Sequence, residues 1–173
     1  FAWLLARCLR TLEPRPQWRS ALDQVMDFGR AHSFDEDGRM FFHLDRTGRP
    51  IRKRRYAYSE CFAAMAFAEV AALDRDASLA KEAEAIFRNA RRVMIEPGAM
   101  APKQTSVRPG KSLGHPVISL GVAQSLRASI GGRFAEEVAA SCVAEIQRDF
   151  VHPDLQAVLE TVSPEGAVID HLE

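Results

Sequence analysis

The chain has 173 residues, 47% of them hydrophobic and 27% charged, with 23 Lys and Arg against 23 Asp and Glu. That is the size and usage of one soluble domain, which excludes disordered, collagen-like and small disulfide-stapled chains. A net charge of zero argues against general nucleic-acid or anionic-membrane binding.

No apolar run reaches the roughly 18 residues of a membrane span. Phe1 to Leu5 is apolar but runs into Arg7 and Arg10, with neither a basic leader nor a cleavage site, so no signal peptide is expected. Cys8, Cys61 and Cys142 are an odd number in helix-like apolar settings. They are expected to be reduced thiols in a cytoplasmic protein.

Leu4, Cys8 and Leu12 recur every four residues, with Leu5 and Leu9 beside them, and predict a first helix that Pro14 and Pro16 end. A second helix is predicted from Trp18 to Arg30. After the polar turn Asp35 to Gly38, Met40 to Leu44 and Arg49 to Tyr56 form a hairpin about Asp45-Arg46-Thr47-Gly48. An Ala-rich helix runs from Tyr58 to Leu73. After a break at Asp74 to Asp76, an amphipathic one continues from Leu79 to Met94.

Residues 97–114 hold three Pro and three Gly and form a long loop. Loops this long are often functional. Pro116 suits the first turn of the next helix, which Gly131-Gly132 stops. A further helix spans Phe134 to Phe150 and ends at His152-Pro153. Gln156 to Val162 and Ala167 to Leu172 suggest a second hairpin about Pro164-Glu165-Gly166. Helix pairs in series suit a bundle, a solenoid or an α/α toroid, and long connections on one side favour the toroid.

Zinc-type spacing, dinucleotide and lipase-type motifs are missing from the sequence, so no metal or cofactor is expected. Gly110-Lys111-Ser112 mimics the end of a phosphate-binding loop, but Thr105 and Ser106 stand where its first glycine belongs. The basic run Arg52 to Arg55, with Tyr56 and Tyr58, suits a solvated hairpin edge, or sugar or anion recognition, ahead of nucleic acid. Glu60, near a helix start, suits either the helix dipole or a sugar hydroxyl. His115, between a loop and a helix start, is either a surface residue or an imidazole that donates to and accepts from a substrate. His152 is expected to be a helix-terminus residue.

The segments Gly48 to Phe62, Gly114 to Leu120 and Ala157 to Gly166, with the opening Trp3 to Arg7, resemble the N-acylglucosamine 2-epimerase superfamily of sugar epimerases and isomerases. The resemblance runs over essentially the whole chain. It implies an all-α fold: part of an (α/α)6 barrel, about half of the family domain across residues 1–173, with short β-hairpins at the pocket side. It also implies C2 epimerisation of N-acylglucosamine and N-acylmannosamine. The alternatives are a mannose-type aldose–ketose isomerase or a cellobiose-type 2-epimerase.

By resemblance, His115 is the catalytic candidate, and Arg55, Tyr58, Glu60 and Glu160 bind the sugar. The family's proton-transfer histidine pair is expected in the later half of the barrel, and a further substrate-binding arginine just before Phe1. Lys111 stands where the isomerase relatives often have Asn. The implied partners are a small sugar and either a second copy or the remainder of the same barrel, with no nucleic acid and no membrane. A non-catalytic helical interaction module is the rival reading. A glycoside hydrolase would need a carboxylate pair that does not stand out.

Overall fold

The structure, a computed structural model, describes residues 1–101 and 109–169. Six α-helices succeed one another among them. The first, α1 (Ala2–Thr11), is predicted correctly as a helix, but its buried side is Ala2 and Ala6, while Leu4 and Leu12 are exposed. Small side chains let the backbone of α1 approach its neighbour closely. α2 (Pro16–His32) begins on a proline, whose missing N–H has no partner to lose there.

The hairpin follows as β1 (Phe41–Leu44) and β2 (Pro50–Lys53), with His43 opposite Arg52. Its turn is organised by Asp45, whose carboxylate accepts from Thr47 N–H, Thr47 Oγ1 and Arg49 N–H. Gly48 (φ 88°) packs on the His32 ring so closely that a Cβ would lie 2.3 Å from it.

α3 (Tyr58–Asp74) is buried over most of its surface between Glu60 and Ala71, with Phe62 exposed. A helix apolar all round belongs in the middle of a fold. α4 (Ala77–Ile95) starts at Asp76, whose side chain accepts from Ser78 and Leu79 N–H, and buries Leu79, Ala83, Phe87, Ala90 and Val93 on one stripe. β3 (Lys111–Ser112) precedes α5 (Gly114–Ser129), and α6 (Arg133–Glu145) follows Gly131 and Gly132, both at positive φ.

α6 closes in a π-turn, Ile146–Phe150, where the sequence suggested one continuous helix to Phe150. β4 (Val151–His152), β5 (Ala157–Val158) and β6 (Thr161–Val162) complete the described chain. Here the expected second hairpin is corrected. β4 pairs with β5 across a short 3₁₀ turn at Pro153–Leu155, and β6 pairs with the distant β3. Pro164 to Gly166 does form a turn, closed by Ser163 with Gly166 and Ala167. Residues 170–172 of the expected last strand, His171 among them, and residues 102–108 of the long loop lie outside the described residues.

α1, α3 and α5 lie side by side as an inner layer, and each carries its successor, α2, α4 or α6, on the outside. This is an arc of an α/α toroid, half of an (α/α)6 ring. Its two ends differ. The links from inner to outer helices are tight turns at residues 12–15, 75–76 and 130–132. The links from outer to inner helices are long: residues 33–57, with the hairpin, and 96–113. Every long segment therefore gathers at the N-terminal ends of the inner helices.

At the tight-turn end, one carboxylate joins the inner layer. Glu69 of α3, fully buried, accepts from Arg10 of α1 (2.8 and 2.6 Å) and from Ser129 Oγ of α5. Cys61 and Cys142 are buried, and burial pushes the Cys61 thiol up to about 12.

Candidate functional site

The toroid geometry places the starts of α3 and α5 next to one another at the end where the long segments meet. Tyr58 opens α3 and His115 is the second residue of α5. Their rings meet edge to face, with centroids 6.4 Å apart at 78°. Tyr58 also stacks on Tyr56 at 5.3 Å and 18°. Arg55 extends the row: its guanidinium lies 4.0 Å over the Tyr56 ring, donates to Tyr56 Oη (2.6 Å) and donates to the Ala101 carbonyl (2.8 Å).

The result is a continuous half-buried strip of cation, two phenols and imidazole drawn from residues 55–58 and 115. Gly114 is part of this contact, because a Cβ there would sit 3.1 Å from Tyr58 Oη. Burial, with Tyr56 alongside, holds the Tyr58 hydroxyl above its ordinary pKa, so it stays a protonated donor at neutral pH.

Glu60 lies in the same helix turn but points elsewhere. Residues two apart on an α-helix project from different sides, at roughly 100° per residue. Glu60 is fully buried; its Oε1 accepts from Arg39 Nε (2.5 Å) and Met40 N–H (2.8 Å). Its Oε2 is buried with no hydrogen-bond partner among the described residues.

Arg39 is the residue that sequence reasoning missed. Its Nη2 donates to the carbonyls of Arg54, Arg55 and Tyr56 (3.3, 3.3 and 3.0 Å). One guanidinium thus ties the outgoing arm of the hairpin to the start of α3. No local spacing announces it, since the hairpin itself brings together residues 21 apart.

Glu160 is exposed, and its backbone rather than its side chain reaches the site: its carbonyl accepts from Leu113 N–H at 2.9 Å. Of the five expected residues, then, Arg55, Tyr58 and His115 lie along one strip. Glu160 is at its edge and Glu60 is behind it. Arg52, Lys53 and Arg54 divide as a hairpin edge does: Lys53 pairs with Asp35 and Asp37, Arg54 covers Phe42, and Arg52 is exposed. His152 lies in β4 with Nε2 buried and without a partner among the described residues.

A second polar cluster adjoins the strip. Asp149, in the π-turn, pairs with Lys111 and takes two bonds from Arg148 (2.7 Å each), while Lys111 also reaches Glu145 (3.0 Å). The Arg148 bonds, and then those of Lys111, outweigh burial and hold the Asp149 carboxyl at about 2 against an ordinary 3.8. A depressed carboxyl stabilises the fold above pH 3.8, and that contribution is lost as pH falls through about 2. Asp149→Asn should therefore cost about 2 kcal/mol at pH 7. Urea titrations at pH 7 and pH 3 should show the gap to the parent narrowing at the lower pH.

A strip of stacked phenols with flanking hydrogen-bond donors suits the apolar face and hydroxyl rim of a pyranose ring. Among the described residues no His, Cys, Asp and Glu gather as a metal site, and no helix is long and apolar enough to cross a membrane.

The sequence model of the family described as N-acylglucosamine 2-epimerase (GlcNAc 2-epimerase) matches residues 1–113. No curated protein matches the sequence. Among solved structures, the chain is similar to a sugar epimerase from a ruminal bacterium, with TM-score 0.80 and 12% identity over 97% of this chain and 47% of that one. It is also similar to the cellobiose 2-epimerase from Spirochaeta thermophila DSM 6192, with TM-score 0.72 and 14% identity over 97% and 46%. The chain spans about half the length of these structures. At such identities they show the fold: half of an (α/α)6 barrel.

Proposed function

The chain belongs to the N-acylglucosamine 2-epimerase family, and from that premise we propose that it supplies the sugar-binding half of a barrel that inverts C2 of a reducing sugar. The substrate class proposed is N-acylglucosamine and N-acylmannosamine. The sugar ring opens to the free aldehyde. A base removes the C2 proton to leave an enolate whose negative charge rests on the former aldehyde oxygen, and an acid returns a proton to the opposite face of C2. No electron is gained or lost. Histidines suit both steps because their ordinary pKa, about 6.5, lies near working pH.

One observation carries this reading: the Tyr58–His115 contact, which joins residues 57 positions apart at the long-segment end of the inner helices. The family match stops at residue 113. His115 therefore rests on this geometry, together with the resemblance of its segment. In the proposed site His115 orients the open-chain sugar at its reacting end. Arg55 and Tyr58 hold hydroxyls, and Glu160 sits at the mouth. Glu60, clamped by Arg39, supports the wall that Tyr58 presents. The remaining proton-transfer groups belong to the other half of the same barrel. Exposed Leu4 on α1, Leu12 just after it and Val117 on α5 offer apolar flanks for that half to cover.

The test is one-dimensional proton NMR in D2O with the full-length protein, offering N-acetylglucosamine, N-acetylmannosamine, mannose and cellobiose separately. Loss of the C2 proton signal with appearance of the epimer from the N-acetyl sugars supports the proposal. Exchange of mannose or cellobiose alone would move the substrate class to the isomerases or the disaccharide epimerases. No exchange of any sugar would leave the interaction module as the better reading.

A further inference from the structure

Leu113, the residue before α5, has no side-chain oxygen to cap it, and the Gly114 N–H is taken instead by Ser112 Oγ, one residue further back (3.3 Å). The position of His115 must therefore be set from outside its own helix. The preceding residues are held in two ways. Lys111 and Ser112 pair with Val162 and Thr161, and Leu113 N–H donates to Glu160. In addition, the Lys111 ammonium reaches down to Asp149 and Glu145 and lies 5.7 Å over the buried Phe150 ring.

Asp149 is the node of this arrangement. It sits in the π-turn, an inserted-residue geometry frequent at functional sites. Only 4% of it is exposed. Arg148 closes one side, and Gly166 (φ 87°) packs on the other, where a Cβ would lie 3.1 Å from the Asp149 Cα. The end of α6, strand β3 and the 163–166 turn thus converge on one carboxylate. None of these charges bonds to Arg55 or Tyr58. Buried ion pairs contribute little net stability relative to apolar replacements, and register or position is their better-attested use.

We infer that Lys111 and Asp149 are positioning residues, which fix the segment entering α5 and so aim the His115 ring at Tyr58. The catalytic consequence rests on the proposed role of His115; the positional claim does not.

Full-length protein with ¹³C-labelled histidine tests both parts. The His115 ring signal is identified by its loss in His115→Ala. In Lys111→Met that signal should shift, because the neighbouring Tyr58 ring current depends on the edge-to-face geometry. Turnover should fall about 10- to 100-fold with KM little changed, as for a group displaced by about an ångström. Lys111→Arg should restore both. A merely structural role would lower Tm and leave the His115 signal in place, and that result overturns the inference. An unmoved turnover in Lys111→Met, where His115→Ala is inactive, overturns it equally. If Lys111→Met does not fold, Asp149→Asn keeps the side chain's shape, removes the charge and is read in the same way. If His115→Ala retains full activity while Lys111→Met still moves the ring signal, the proposed catalytic role fails and the positional claim stands.

Discussion

His115→Ala in the full-length protein is expected, on the proposed role of this residue, to lower kcat on the order of 10²- to 10⁴-fold, the range an acid–base or orienting imidazole contributes, and to leave the fold intact. The side chain is half-buried at a helix start, outside the apolar core that the six helices share. Its removal opens no closed cavity, so Tm should stay within a few degrees. The change should fall on kcat more than on KM, because the proposed sugar-holding residues Arg55 and Tyr58 remain. Steady-state kinetics with the sugar that exchanges, together with a thermal melt, give both numbers. Unchanged kinetics would remove His115 from the mechanism and leave the Tyr56–Tyr58 strip as a binding surface only.

Arg10→Met should be strongly destabilising. It leaves the Glu69 carboxylate fully buried with its guanidinium gone and, among the described residues, Ser129 as its remaining donor. Removing one partner of a buried pair costs about 3–5 kcal/mol, since the survivor cannot regain water. For a domain of this size that is a fall in Tm of roughly 10 °C. The reverse change, Glu69→Leu, should cost less, because the Arg10 side chain is 30% exposed and can turn to solvent. Combining Arg10→Met with Glu69→Leu should recover most of the loss, as an apolar pair of similar volume replaces the ionic one. A double variant as unstable as Arg10→Met alone would show that the pair holds α1 on α3 by geometry rather than by charge balance.

These two residues lie at opposite ends of the same inner layer and show what local pattern can and cannot reveal. The helices were legible because their apolar spacing is a property of each segment by itself. The stripe from Leu79 to Val93 on α4 and the Ala-rich α3 needed no partner to be recognised. The first hairpin was legible for the same reason, since Asp45 and Gly48 build its turn from their own side chain and backbone. The alternation of tight turns with long connections also followed from sequence; it favoured a toroid over a bundle or a solenoid, and the family resemblance is what implied the (α/α)6 barrel.

Contacts between segments were not legible. The sequence around Pro164 to Gly166 signals a turn, and the turn exists, yet the strand before it pairs with Lys111 and Ser112. A two-residue strand carries no periodicity that could name a partner. On α1 the bulky Leu4 and Leu12 looked like the buried face, but the close approach of α3 selected Ala2 and Ala6. Tyr58 and His115 were each suggestive alone, and only the meeting of two helix starts made them neighbours. Arg39, Lys111 and Asp149 were invisible as a frame, because Arg39 reaches Arg54 and Glu60 and Lys111 reaches Asp149 across 15 to 38 residues. Sequence by itself determined the helices, their order and which connections are long. Only tertiary packing decided which side chains face the candidate site, because a charge finds its partner in space and not along the chain.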